Sequence, residues 1–247
     1  MKKVIIIPAR LDSSRLPKKV LLDLKGKTVI QRVYEQCLKV KNVDEVYIAT
    51  DSLEIKEVCE TFTNQVIITK STHQSGTDRI GEAISSIACD IVINVQGDEP
   101  FIKPSLIEAL VNSFSNSEIS MSSAMSKINN VKDLHNTNVV KVVTDLHNNA
   151  LFFSRSLIPF PRDIQEISTA KKVLGKGQFF RHIGIYGYRK DFLLKFVNME
   201  QSYLEKVEKL EQLRALENGF KIKMIEAESS LIGIDTQEDY EEALKKY

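Results

Sequence analysis

Cysteine is scarce in this chain. Cys37, Cys59 and Cys89 are odd in number, widely spaced and without a C-x-x-C pair, so neither a disulfide framework nor a cysteine zinc site is expected. Cys37 and Cys59 fall on apolar faces of expected helices, where a thiol packs as a small hydrophobe, and a reducing cytoplasm suits them. Neither G-x-G-x-x-G nor a Walker loop occurs, which removes the signatures of dinucleotide binding and P-loop hydrolysis. Excess charge is also missing: 34 basic residues against 33 acidic leave a net charge of +1. That balance argues against nucleic acid or an anionic membrane as the main partner, and it confines any basic site to a local pocket. No apolar run approaches a membrane span. Lys2-Lys3 before apolar residues has the start of a signal peptide, but Pro8-Ala9-Arg10 ends the run too early. There are no internal repeats and no low-complexity segments.

What is present suits a soluble protein with a full core: 247 residues, 43% hydrophobic and 27% charged. That length allows one large α/β domain or a domain with a sizeable insertion. Val4 to Ile7 is an unbroken branched run and reads as a buried strand. Strands are also expected at Glu45 to Thr50, Val66 to Thr69 and Ile91 to Val95. Between them, helical stripes run through Ile30, Val33, Tyr34, Cys37 and Leu38, through Ile55, Val58, Cys59 and Phe62, and through Ile80, Ala83, Ile84 and Ile87. Thr28 to Gln31 reads as a capping box, and Pro104 as the first turn of a helix. Alternation of this kind implies an α/β fold, a mostly parallel sheet with helices on both faces. From about Ser120 to Tyr188 the pattern changes to short strand-like runs, Val139 to Val143, Leu151 to Phe153 and Ile183 to Tyr188. We read residues 1–247 as a single domain, with 120–188 as a mixed or antiparallel insertion that includes a mobile loop at Asp163 to Gly177. A strand near Ile222 to Ile225 and a final helix capped by Thr236 and Asp239 follow.

Chemistry concentrates after the first strand. Pro8-Ala9-Arg10 opens a loop that carries Ser13, Arg15 and Lys19, and loops leaving the carboxyl ends of such strands bind ligands. Arginine forks and a compact ammonium can surround a polyphosphate, although three unrelated surface charges would look the same. Gln96-Gly97-Asp98-Glu99-Pro100 ends the fourth strand. Asp98 is placed to hold a divalent metal beside phosphates. Asp235 precedes the last helix and either supports its amino end or completes a metal site with Asp98. Gln74, Ser75 and Gly76 in His73-Gln74-Ser75-Gly76-Thr77-Asp78-Arg79 could read a nucleobase edge, or form an ordinary helix entry with Thr77 or Asp78 as cap. Arg155, Arg181 and His182 could receive an acidic, hydroxylated substrate, or be structural. Glu211-Gln212 alone reads as a solvated helix face.

Taken in order, these motifs resemble the 3-deoxy-manno-octulosonate cytidylyltransferases, the CMP-Kdo synthetases. The likeness rests on Pro8-Ala9-Arg10, Ser14-Arg15-Leu16-Pro17 and Lys19, on Ala49-Thr50-Asp51, and on His73 to Thr77. It continues through Asn94 to Pro100, Val140 to Val143, Phe153-Ser154-Arg155, Arg181 to Tyr188, Leu210 to Arg214, and Asp235-Thr236. It covers essentially the whole chain. It implies a nucleotide-diphospho-sugar transferase fold, a homodimer formed through the insertion, and a cytoplasmic step of lipopolysaccharide or capsule biosynthesis. It also implies transfer of CMP from CTP to the anomeric hydroxyl of Kdo with Mg2+ and release of pyrophosphate. By the same likeness, Pro8, Ala9, Arg10, Ser13, Arg15, Lys19, Gln74, Ser75, Gly76 and Arg79 bind the nucleotide, and Asp98 and Asp235 bind the metal. Arg10, Arg15, Lys19, Asp98 and Asp235 carry catalysis. Gln96, Arg155, His182, Tyr186, Glu211 and Gln212 surround the sugar.

The chain departs from the family's usual residues in three places. Lys18 and Val20 stand where glycine and proline normally flank the loop lysine, Tyr203 replaces a proline, and Gln237 replaces another. If that glycine adopts a positive φ, Lys18 must take the strain. Rival readings are a cytidylyltransferase for 8-amino-Kdo or sialic acid, and a nucleotide-binding regulator without turnover.

Overall fold

The computed structural model describes residues 1–11, 15–162, 174, 179–228 and 233–247. Its contacts divide the chain into two compact units: residues 1–115, 185–197 and 231–247 form the first, and 116–184 and 198–230 the second. The second unit takes most of the expected insertion and adds a stretch closer to the end of the chain.

The first unit is built on β1 (Lys3–Ala9), β2 (Glu45–Thr50), β3 (Val66–Ile68) and β4 (Ile91–Asn94). β1 pairs parallel with both β2 and β4, and β2 pairs parallel with β3. The last residues of β8 (Phe180–Arg189) close the order β3-β2-β1-β4-β8 as an antiparallel strand, with Asn94 opposite Tyr186. Val4, Ile5, Ile6 and Ile7 have no exposed surface. Successive strand residues face opposite sides, so both faces of this sheet are covered.

The helices of this unit are α1 (Val29–Cys37), α2 (Leu53–Glu60), α3 (Gly76–Ser85), α4 (Pro104–Ser113), α6 (Lys190–Phe196) and α9 (Gln237–Lys246). Thr28 caps α1 by accepting from the Gln31 amide, which is half of the expected box, because the Gln31 side chain donates to Glu35 instead. Leu38 lies beyond the end of α1 and is exposed, contrary to its place in the expected stripe. Cys37 and Cys59 are buried, and burial pushes both thiols well above the ordinary range.

One core cluster positions the chemistry. Leu16, Leu24 and Val29, from the basic loop and the start of α1, pack with Ile234 and Ala243 from the end of the chain. Burying these branched residues together ties the loop to α9. Truncating Leu16, Leu24 or Ile234 to alanine costs about 2–5 kcal/mol.

The second unit holds β5 (Met121–Lys127), α5 (Val131–His135), β6 (Lys141–Thr144), β7 (Ala150–Ser154), the start of β8, α7 (Tyr203–Glu208), α8 (Leu213–Glu217) and β9 (Ile222–Glu226). β5 pairs parallel with β9, while β6 pairs antiparallel with β7 and with β8. β5 escapes sequence reading because its buried serines, Ser122, Ser123 and Ser126, interrupt the apolar signal. The segment expected to be a mobile loop, 163–177, lies outside the described residues except for Leu174.

Candidate active site

In the first unit β2 and β4 lie on opposite sides of β1, so the strand order reverses between β1 and β4. Ligands bind at the carboxyl ends of strands beside such a switch. A cleft of about 190 Å³ opens there. Pro8 and Ala9 line it from β1 and Arg10 from the residue after it, Gln96, Gly97 and Asp98 from the turn after β4, and Gln74, Ser75, Gly76 and Arg79 from the entry and first turn of α3; Lys19, Val20 and His73 complete the wall. Backbone crowding explains Gly97: a Cβ there would stand 3.0 Å from the Pro8 carbonyl oxygen and 3.1 Å from Ile30 Cδ1. Glycine lets the Asp98 turn come this close to β1 without pushing the backbone aside.

The basic loop and the two aspartates meet. Lys19 Nζ donates to Asp98 Oδ2 and to Asp235 Oδ1, the latter at 2.8 Å. Arg15 Nη2 stands 3.1 Å from the other Asp235 oxygen. The Ile234 amide donates to the Asp98 carbonyl at 2.9 Å, stitching the two acidic segments together. Asp235 is spared capping duty, because Thr236 and Asp239 form the capping box of α9. Burial alone would lower the Lys19 pKa, but the charges and hydrogen bonds of Asp98 and Asp235 outweigh it and raise it above the ordinary lysine value. Burial likewise pushes Asp235 up, yet Lys19 and then Arg15 hold its carboxyl below the usual range. Both carboxylates reach one ammonium, so they stand no further apart than two hydrogen bonds laid end to end. This pair fits a phosphate-bound magnesium, which uses one or two carboxylates. Ser13 lies outside the described residues.

At the start of α3, Ser75 is the N-cap and pairs reciprocally with Asp78, rather than Thr77 or Asp78 serving as cap. Gln74 donates to the Thr72 carbonyl at 3.3 Å. Arg79 lines the cleft but is buried, and its guanidinium is engaged by Thr69 Oγ1 at 2.6 Å and Asp51 Oδ2 at 2.8 Å. Its side chain therefore braces α3 against the ends of β2 and β3. The Glu82 carboxylate takes His73 Nε2 and the Lys70 amide on one oxygen, pinning the loop ahead of α3. Nothing in the sequence singles out Glu82, which meets this loop only through the fold.

The residues expected around the sugar divide between the units. Gln96 and Tyr186 belong to the first, where Gln96 Nε2 donates to Asn94 Oδ1 at 3.0 Å and the Tyr186 ring stacks on Tyr188. Arg155, His182, Glu211 and Gln212 belong to the second. His182 shares a 2.8 Å hydrogen bond with the Ser123 hydroxyl and lies edge-on to Phe153. Burial pushes its imidazole down to about 3, so at neutral pH it offers a neutral donor or acceptor and no charge to an acidic ligand. Arg181 faces Asp133 at 3.6 Å. Glu211-Gln212 is not a solvated face: Gln212 is 3% exposed. It stands at the N-terminal boundary of α8 without a side-chain cap bond, and two residues on Arg214 makes a buried pair with Glu205, at 2.6 and 2.8 Å.

The chain matches the cytidylyltransferase family model over residues 4–224. It is 48% identical to the 3-deoxy-manno-octulosonate cytidylyltransferase of Francisella tularensis subsp. holarctica, across 98% of this chain and 97% of that one. The protein of the same name from Geobacter sulfurreducens is 44% identical, across 100% and 99%. A solved structure of CMP:2-keto-3-deoxy-manno-octonic acid synthetase complexed with CTP superposes with a TM-score of 0.92 at 38% identity, covering 100% of this chain and 98% of that one. The fold, the ordered motifs and these likenesses agree: the chain belongs to the 3-deoxy-manno-octulosonate cytidylyltransferase family.

Proposed function

We propose that this protein transfers CMP from CTP to the anomeric hydroxyl of Kdo, with magnesium held by Asp98 and Asp235. The observation that carries this reading is the meeting of Lys19, Arg15, Asp98 and Asp235 beside a cleft lined by the nucleotide motifs. The hydroxyl oxygen forms a bond to the α-phosphorus as the bond from that phosphorus to the oxygen bridging the β-phosphate breaks, pyrophosphate leaves, and the hydroxyl proton passes to solvent water. Arg10, Arg15 and Lys19 neutralise charge growing on the pyrophosphate. Magnesium, when bound, supplies Lewis-acid stabilisation of the phosphate oxygens and lowers the pKa of the attacking hydroxyl. Pro8, Ala9, Gln74, Ser75 and Gly76 seat the nucleotide, with Arg79 holding α3 in place behind them. Gln96, Arg155, His182, Tyr186, Glu211 and Gln212 bind the sugar acid, Arg155 by charge and His182 as a neutral partner.

The test is pyrophosphate release from CTP with Kdo, 8-amino-Kdo or sialic acid, with and without magnesium. Release with Kdo and metal together is expected. Asp98→Asn lowers turnover by about 10²–10³ with the fold retained. CTP binding with no release from any sugar acid identifies a regulator instead. The same reading includes a cytoplasmic homodimer, which light scattering checks. Among the described residues no helix is long and apolar enough to cross a membrane.

A further inference from the structure

Lys141 has no exposed surface. Its Nζ donates to three backbone carbonyls: Asn136 at 3.0 Å, Val139 at 2.7 Å and Arg155 at 2.5 Å. An ammonium has three N–H donors and no acceptor, so three carbonyls use its inventory in full. A neutral amine would turn its lone pair onto one of those oxygens. Burial draws the Lys141 pKa below the ordinary lysine value, and the nearby charge of Glu208 opposes that pull. An apolar side chain of similar length would fill the space without the cost of burying a charge. The charge therefore marks a task beyond packing.

That task is visible in what the ammonium joins. Asn136 and Val139 precede β6, and Arg155 follows β7. The Arg155 amide donates to Glu208 Oε2 at 3.0 Å, so its backbone is held on both sides, by Glu208 at the nitrogen and by Lys141 at the oxygen. The guanidinium is anchored as well. Nε donates to the Glu208 carbonyl at 2.7 Å, Nη1 to Thr137 at 3.0 Å and Nη2 to Lys209 at 3.4 Å. Thr137 lies in the same short segment that Lys141 pins. These bonds use three of the five guanidinium N–H groups, leaving one on each terminal nitrogen.

We propose that Lys141 is a positioning residue for sugar-acid binding: it fixes both the Arg155 backbone and the Thr137 segment, so that the two remaining guanidinium N–H groups are presented to the substrate carboxylate. This rests on the reading above that Arg155 binds the sugar acid. The forked geometry that makes arginine selective for carboxylates is useful only when the plane is held still. Lys141 holds it still without touching the ligand.

The experiment is a double-mutant cycle in the full-length protein. Lys141→Met keeps the volume and removes the donors, Lys141→Arg keeps charge and donors, and each is combined with Arg155→Ala. Steady-state kinetics are measured against both substrates, with thermal melting in parallel. Lys141→Met is expected to raise KM for the sugar acid about tenfold or more, with KM for CTP within about twofold. It adds nothing to the sugar KM of Arg155→Ala, and Lys141→Arg recovers most of the loss. Equal factors in both backgrounds, or equal changes for both substrates, overturn the proposal. Should Lys141→Met fail to melt cooperatively, Lys141→Gln, with two donors, takes its place under the same criteria. A normal sugar KM in Arg155→Ala overturns the role given to Arg155, and this proposal with it. An impaired Arg155→Ala beside a normal Lys141→Met overturns this proposal alone.

Discussion

Asp98 and Asp235 share one ammonium, that of Lys19, although they lie at the ends of distant segments. The site therefore carries its own counter-cation. Lys19 and Arg15 neutralise the acidic pair; on the function proposed above, the phosphates of CTP compete for these cations, and metal binding is coupled to nucleotide binding. Lys19→Met leaves the two carboxylates without their shared cation. Mn2+ binding to the nucleotide-free protein should tighten about tenfold, while CTP binding weakens by a similar factor. Electron paramagnetic resonance titration measures the first and equilibrium dialysis the second. Unchanged Mn2+ affinity in the variant would show that Lys19 does not guard the pair.

Lys18 has φ 53° and ψ 28°, a left-handed conformation. The sequence anticipates this, since the position normally belongs to glycine in the family. The conformation costs a residue with a Cβ about 1 kcal/mol relative to glycine. Its Nζ pairs with Glu54 at 2.7 and 2.9 Å, an exposed contact that offsets little of that cost. Lys18→Gly should therefore exceed Lys18→Ala in stability by about 1 kcal/mol in urea unfolding. If alanine equals glycine there, the strain is not real.

The first unit was largely legible because its signals are local. Buried strands are continuous branched runs, as at Val4 to Ile7, and α9 opens on the expected Thr236 and Asp239 box. Alternation implies the parallel sheet, but the strand order that puts β4 beside β1 and opens the cleft there comes only with the fold. The second unit was harder to read for physical reasons. Three of the seven residues of β5 are serine, and Gln212 and Arg214 are polar residues that lie buried, Arg214 against Glu205 of α7. No spacing in the sequence pairs Lys141 with Arg155, or His73 with Glu82, since only the fold brings them together. Polar residues that serve as supports carry the periodic signature of neither core nor surface.

Gly97 offers a test of how closely the Asp98 turn must approach β1. A methyl group there meets a backbone oxygen at 3.0 Å, which cannot swing aside as a flexible side chain would. Gly97→Ala should lose about 1–3 kcal/mol of stability and shift the Asp98 turn outward. A displacement of that kind lowers turnover about tenfold or more, even where the fold survives. Urea midpoints and kcat measured together check it, and a variant normal in both would mean that the turn has room.

His182 makes a prediction about acid sensitivity whose sign can be worked out. Its folded pKa is about 3, against an ordinary 6.5. Above pH 6.5 the imidazole is neutral in both states and contributes nothing to the pH dependence. Between 6.5 and about 3 the unfolded chain takes up a proton that the folded chain refuses. Stability must therefore fall as pH falls through this window, by at most about 1.4 kcal/mol per pH unit. Part of the residue still reaches solvent, so the observed slope lies below that limit. His182→Gln keeps a hydrogen-bonding group toward Ser123 but cannot titrate. Urea unfolding of both proteins near pH 7 and near pH 4.5 should show a shallower loss in the variant. Parallel losses would mean that the imidazole is protonated in the fold, and that His182 can carry charge toward an acidic ligand after all.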